Sequence, residues 1–224
     1  MNLRAVCCPS CGAPVSVSSR QCRYCRAGLQ LSAVDLAVTQ RRTVFDFTSG
    51  ATPHEVASGH PELTVQRDIG LVIALGAGAA LRVPSGAPFK DGSARLEGLV
   101  LDPDAGMDVG LRFIDAGRAQ LGYLLQARPA LSEFRVIRFA QVDSTPAGQD
   151  VLLPWTACRM LRAMGEVNRI ELLAADSLLQ VRINDALVAR LDDPRFGYGV
   201  PMYGASSHGQ PARVTLRRFE HGLL

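Results

Sequence analysis

Aromatic residues are scarce in this chain, at 6% of 224 residues, and tryptophan occurs once, as Trp155. Neither charge sign dominates, because the formal net charge is only +3. Strong nonspecific attraction to polyanions is therefore not expected. No apolar run reaches the roughly 20 residues that a membrane-spanning helix needs. The most apolar stretch, Ile69 to Leu81, is bounded by Asp68 and Arg82 and broken by Gly70, Gly76 and Gly78. Met1 to Val6 holds Arg4 and no apolar core, so no signal peptide is expected. A soluble, cytoplasmic protein without a membrane partner follows as the expectation, and thiols stay reduced in that compartment. The four histidines, His54, His60, His208 and His221, are scattered. No H-E-x-x-H, G-x-S-x-G or P-loop pattern occurs, so the expectation is a chain that is not an enzyme.

What the chain does contain suits many short strands. Apolar residues make up 47%, charged residues 20%, and there are 21 glycines and 13 prolines. That balance favours a sizeable core with frequent turns. Residues 1–42 carry Arg4, Arg20, Arg23, Arg26, Arg41 and Arg42 against Asp35 alone. Arg20, Arg23, Arg26, Arg41 and Arg42 form a candidate basic patch for nucleic acid or an acidic partner, against the plainer reading of a solvated small module.

The cysteines carry the sharpest signal. Cys8-x2-Cys11 and Cys22-x2-Cys25 are two C-x-x-C turns separated by ten residues. Such turns present four soft thiolates in a tetrahedron, which suits Zn²⁺. With four protein ligands no position is left for water, so the site is structural. Cys7 offers a competing register, Cys7-x3-Cys11, which matches the second pair less well. Cys158 has no partner in sequence and reads as a small buried apolar residue. The stretch CPSCGAPVSVSSRQCRYCRAGLQL resembles the zinc ribbons of many bacterial proteins. That resemblance implies two knuckles on short strands, Ala13 to Val17 and Leu29 to Leu31, and a protein-docking role.

From Thr43 onward twelve windows read as strands: Thr43–Phe47, Leu63–Val65, Gly70–Leu75, Leu81–Val83, Ala94–Leu101, Asp108–Phe113, Gln120–Gln126, Phe134–Gln141, Arg169–Ala174, Leu178–Ile183, Ala186–Leu191 and Arg213–Phe219. Asp102 to Gly106 and Asn184-Asp185 read as turns, Thr145 to Gly148 as a loop, and Gly197 to Gly204 as a glycine-rich loop. Thr156–Met164 is ambiguous. The expected organisation is a zinc ribbon at 1–31, a connector at 32–42 and an antiparallel β-sandwich at 43–224. The connector is short, so the ribbon is expected to pack on the sandwich.

The run NRIELLAADSLLQVRINDALVARLDDPRFGYG, residues 168–199, resembles the end of concanavalin A-like, laminin-G-like sandwiches, a group that includes a branch related to 3-keto-disaccharide hydrolases. Val44 to Phe47, Asp108 to Phe113, Phe134 to Arg138 and Val214 to Phe219 fit the same pattern, the last as a closing strand paired with the first. Asn184-Asp185 replaces the usual N-G turn, but both residue types tolerate positive φ. Leu216-Arg217-Arg218 replaces the usual F-D-N triplet. The E-x-D-x-x-E run of many sandwich glycosidases is absent.

Sugar binding on such a sheet needs an aromatic ring to stack on the sugar, with polar groups for its hydroxyls. Trp155, Tyr198 and Tyr203 are the candidates, with Tyr123 behind them; Leu152-Leu153 upstream of Trp155 favours a packing role for it. Asp102, Asp104 and Asp108 have the spacing of the front of a calcium loop but lack its closing Glu. The function expected from the sequence is a non-catalytic binding or scaffold subunit with a protein partner. Its alternatives are a carbohydrate-binding or glycoside-processing protein and a nucleic-acid binder.

Overall fold

A computed structural model describes residues 5–7, 14–16, 23–26, 42–50, 63–115, 119–142 and 145–224. Its strands, in chain order, are β1 (Ala5–Cys7), β2 (Pro14–Ser16), β3 (Arg42–Asp46), β4 (Leu63–Gln66), β5 (Gly70–Leu75), β6 (Ala80–Pro84), β7 (Gly92–Val100) and β8 (Ala105–Asp115). They continue with β9 (Ala119–Arg128), β10 (Glu133–Val142), β11 (Thr145–Ala157), β12 (Asn168–Ala175), β13 (Leu178–Ile183), β14 (Ala186–Asp192), β15 (Val200–Ser207) and β16 (Ala212–Leu223). One sheet has the order β11-β10-β9-β8-β15-β6. The other has the order β14-β13-β12-β7-β16-β5-β4, with β3 also pairing β16. All pairings are antiparallel. Among the described residues no helix is long and apolar enough to cross a membrane.

Side-chain alternation builds the core. Successive strand residues point to opposite faces, so Ala94, Leu96 and Val100 of β7 face inward while Arg95 and Glu97 face out. Met107, Val109 and Leu111 of β8, and Tyr123, Leu125 and Ala127 of β9, supply the facing layer. Phe219 stacks between Tyr203 and Phe45, and Phe47 closes on Tyr203. Each such fully buried apolar side chain stabilises the fold by roughly 1.5–3 kcal/mol. Cys158 is buried in this core.

The resemblance at the chain's end has a physical basis. Asn184 and Asp185 take φ of 48° and 67°, the left-handed pair that a two-residue hairpin turn needs. In the following loop the Asp193 carboxylate accepts from the Arg195 amide at 2.8 Å and from Arg138 at 2.6 Å. The Tyr123 hydroxyl donates to Asp193 and accepts from the Phe196 amide at 3.1 Å. Burial pushes this phenol up to about 12, so it stays a donor. The closing strand β16 pairs with β3 at one side and β7 at the other.

Two loop expectations are corrected. Thr145 to Gly148 belongs to β11, and residues 200–204 of the glycine-rich segment belong to β15. β11 is an edge strand, which tolerates Pro146 and Pro154. Pro201 sits at a register shift of β15, where no regular ladder bond is required of it.

Candidate functional site

The outer face of the six-stranded sheet carries one polar row across all six strands. Its members are Arg82, Gly204, Asp108, Gln126, Arg135 and Trp155. The register places Arg82 opposite Gly204, Gly204 opposite Asp108, Asp108 opposite Gln126, and Gln126 opposite Arg135. On β11 the ladder jumps. Val136 faces Leu153 and Phe134 faces Thr156, so Arg135 alone stands opposite both Pro154 and Trp155. This is a β-bulge, which inserts one residue and reverses the side-chain alternation beyond it. Leu153 faces the core as expected, and the bulge turns Trp155 outward.

Hydrogen bonds fix the row in one arrangement. Asp108 is fully buried and accepts from Gln126 Nε2 at 3.0 Å and from the Ser206 hydroxyl at 2.9 Å. Arg82 Nε lies 3.3 Å from the same carboxylate. The Gln126 carbonyl oxygen accepts from Arg135 Nε at 2.8 Å. A carboxylate on one side and a guanidinium on the other admit only one orientation of this amide. Gly204 carries no Cβ, which would collide with the Leu81 carbonyl oxygen of β6.

Trp155 is partly exposed and lies among cations. The guanidinium carbons of Arg128 and Arg135 are 3.9 and 4.6 Å from its ring centre. Arg128 is ion-paired with Glu133, and His208 meets the indole edge-on at 5.5 Å. Burial lowers the pKa of both Arg135 and Arg128; the charges of Arg128 and Arg82 act in the same direction on Arg135, and Asp108 opposes. Burial likewise holds His208 below the usual imidazole range, against the pull of Asp108 and Asp104. Its Nε2 is 3.2 Å from Ser206 Oγ, and that hydroxyl donates to Asp108. The chain runs carboxylate–serine–imidazole. A nucleophilic serine needs the imidazole between itself and the acid, so this order does not activate one. A Cβ at position 106 would lie 3.0 Å from both His208 and Ser206, so the glycine gives these side chains room. Beyond the row, Leu124, Ile137, Phe139, Met202 and Phe113 form an apolar group.

A concavity of about 280 Å³ opens on the outside of the other sheet. It is lined by Glu97, Arg162, Val167, Arg169, Asn184, Asp185 and Arg217. Arg169 bridges Glu97 and Asp185, each at 2.9 Å. No aromatic ring lines it, so it lacks the stacking surface that saccharide recognition uses.

The other sequence candidates fall elsewhere. Tyr203 and Tyr123 are each 0% exposed and pack in the core, so the expectation that they could meet a ligand is corrected. Tyr198 is 55% exposed in the loop before β15. Asp102, Asp104 and Asp108 diverge, holding the Arg213 amide, the Gln210 amide and the Gln126–Ser206 network respectively. Among the described residues no group of three or more His, Cys, Asp or Glu side chains is placed to hold a metal. Cys8, Cys11 and Cys22 lie outside the described residues, and Cys25 is exposed. Arg20 and Arg41 also lie outside them. Arg23 and Arg26 are exposed, whereas Arg42 is tied to Glu220 at 2.7 Å.

No family model and no curated protein matches the chain. Solved structures do. A prokaryotic β-1,3-1,4-glucanase (lichenase) from a mouse hindgut metagenome aligns with a TM-score of 0.58 at 8% identity, covering 82% of this chain and 99% of that one. The apo Crh5 transglycosylase aligns at 0.57 and 11% identity, covering 81% and 84%. The carbohydrate-binding module CBM66 from Bacillus subtilis aligns at 0.52 and 13% identity, covering 66% and 83%. These alignments, at identities this low, show the fold: a two-sheet sandwich of the jelly-roll kind. They overturn the expectation of a non-catalytic scaffold and, with it, the exclusion of an enzyme. The architecture is shared with these glycoside-processing and carbohydrate-binding proteins.

Proposed function

We propose that this chain recognises a carbohydrate on the outer face of the six-stranded sheet, as a carbohydrate-binding or glycoside-processing protein. The observation that carries the reading is the row ending at Trp155. A partly exposed indole stands beside groups whose polar atoms are held at fixed positions by one another. The part of the indole left exposed beside the Arg128 and Arg135 guanidiniums offers an apolar contact to a sugar ring, and Arg135, Arg128 and His208 offer donors to its hydroxyls. Preorganisation matters because side chains already ordered lose little further freedom on binding. Asp108 and Glu133 are the carboxylates of this face, each held by an arginine.

The test is titration of the full chain with neutral and acidic oligosaccharides by calorimetry, with reducing-end release measured in parallel. Saccharide binding is expected, and Trp155→Ala weakens it by roughly tenfold or more, with little change in melting temperature. Reducing-end release that disappears in Glu133→Gln assigns glycoside processing to the face. A full chain that binds none of the saccharides defeats the reading.

A further inference from the structure

Three arginines meet on this face, and their partners differ. Arg82 is paired with Asp108, and Arg128 with Glu133. Arg135 has a neutral partner, the Gln126 carbonyl oxygen, which takes only its Nε. Among the described residues its two terminal amino groups make no hydrogen bond or ion pair. Its burial and the nearby charges of Arg128 and Arg82 disfavour its cationic form, with only Asp108 acting the other way.

We propose that the saccharide recognised here is acidic, and that Arg135 receives its anionic substituent while Trp155 contacts the adjoining ring. This rests on the carbohydrate reading above and narrows it to a substrate class. The geometry supplies the specificity. Gln126 pins one edge of the guanidinium and is itself oriented by Asp108. The two remaining N–H-bearing corners form a planar fork that fits two oxygens of one anionic group. With its guanidinium carbon 4.6 Å from the Trp155 ring centre, that fork lies next to the exposed part of the indole. A carboxylate at a ring carbon of a uronic acid stands in that relation to the sugar face, and a sulfate ester offers the same pair of oxygens. A neutral sugar would leave this partly desolvated cation with water alone.

The experiment measures binding of oligogalacturonate and oligoglucuronate by calorimetry, each with its carboxylates free or methyl-esterified, beside a sulfated oligosaccharide and a neutral β-glucan. The esters keep the sugar and remove the charge, so the wild-type protein alone decides the question. Free acids binding at least tenfold tighter than their esters, with Arg135→Gln levelling the two, support the proposal with a carboxylate as the group. The same Arg135 dependence seen with the sulfated sugar alone supports it with a sulfate ester. Arg135→Lys keeps the charge but loses the fork, and is expected to recover only part of the preference. Esters or β-glucan binding as tightly as the acids, with Trp155→Ala still abolishing binding, overturn the acidic specificity and leave the carbohydrate reading intact. Binding of no saccharide at all defeats both.

Discussion

Both sheets turn arginine-rich faces outward, but they manage the charge differently. All basic residues of the chain except Lys90 are arginines. On the eight-stranded sheet acids and arginines interleave. Glu171 joins Arg95 and Arg42, Glu220 joins Arg42 and Arg218, and Arg169 joins Glu97 and Asp185. On the six-stranded sheet one acid, Asp108, is buried under a chain of amide and hydroxyl contacts, and the outermost guanidinium ends on an amide and an indole. Cross-strand opposite charges make a face that satisfies itself. An arginine beside an aromatic with no acid of its own makes a face that has capacity left for a ligand.

The largest expected break of this contrast is at Asp108. It is fully buried, accepts from Gln126 and Ser206 and is ion-paired with Arg82, so Asp108→Ala leaves two donors without their acceptor and one guanidinium without its counter-charge. A loss of about 3–5 kcal/mol is expected in urea unfolding. Glu171→Ala on the opposite face is expected to cost less, about 1–3 kcal/mol. Glu171 is 2% exposed, but its partners Arg95 and Arg42 keep 20% and 25% exposure and regain water. Equal losses would erase the distinction drawn between the faces.

A smaller effect concerns pH. His208 is held below its ordinary value of 6.5 by burial, so the folded state binds its proton less readily than the unfolded state. Its contribution is therefore complete above about pH 6.5 and is lost as pH falls through the lower folded value. Asp108 and Asp104 oppose this shift, while Arg128 and Arg135 reinforce it. In His208→Gln this component of the acid-side slope disappears, so the stability gap between wild type and variant changes between pH 7 and 5. A constant gap across that window excludes the imidazole as its source. Smallest of all is Arg169→Ala. Its side chain is 38% exposed, so the loss is expected to stay under about 1 kcal/mol and to shrink further in salt.

Much of the sandwich was legible in the sequence, because period-two alternation and turn chemistry are local. Asn184-Asp185 announced its hairpin. The binding face was less legible. Both strands that complete it, β11 and β15, carry the prolines and glycines that read as loop, and they tolerate them through an edge position and a register shift. Gln126, Ser206 and Arg135 carried no motif at all, and Asp108 stood out only through a calcium-loop spacing and a strand pattern, neither of which pointed to this row. His208 stood out only as one of four scattered histidines.

The sequence by itself determined the β class, most of the strand windows, the Asn184-Asp185 turn and the C-x-x-C spacing, since each depends on residues within a few positions. Tertiary structure decided the direction of Trp155 and the company it keeps. Leu152-Leu153-Pro154 before the indole reads as core, and only the bulge opposite Arg135 turns the ring outward. A bulge is a mismatch between two strands, so neither strand's sequence contains it. The row from Arg82 to Trp155 likewise depends on pairings between β6, β15, β8, β9, β10 and β11, which long-range hydrophobic packing selects and no local pattern spells out.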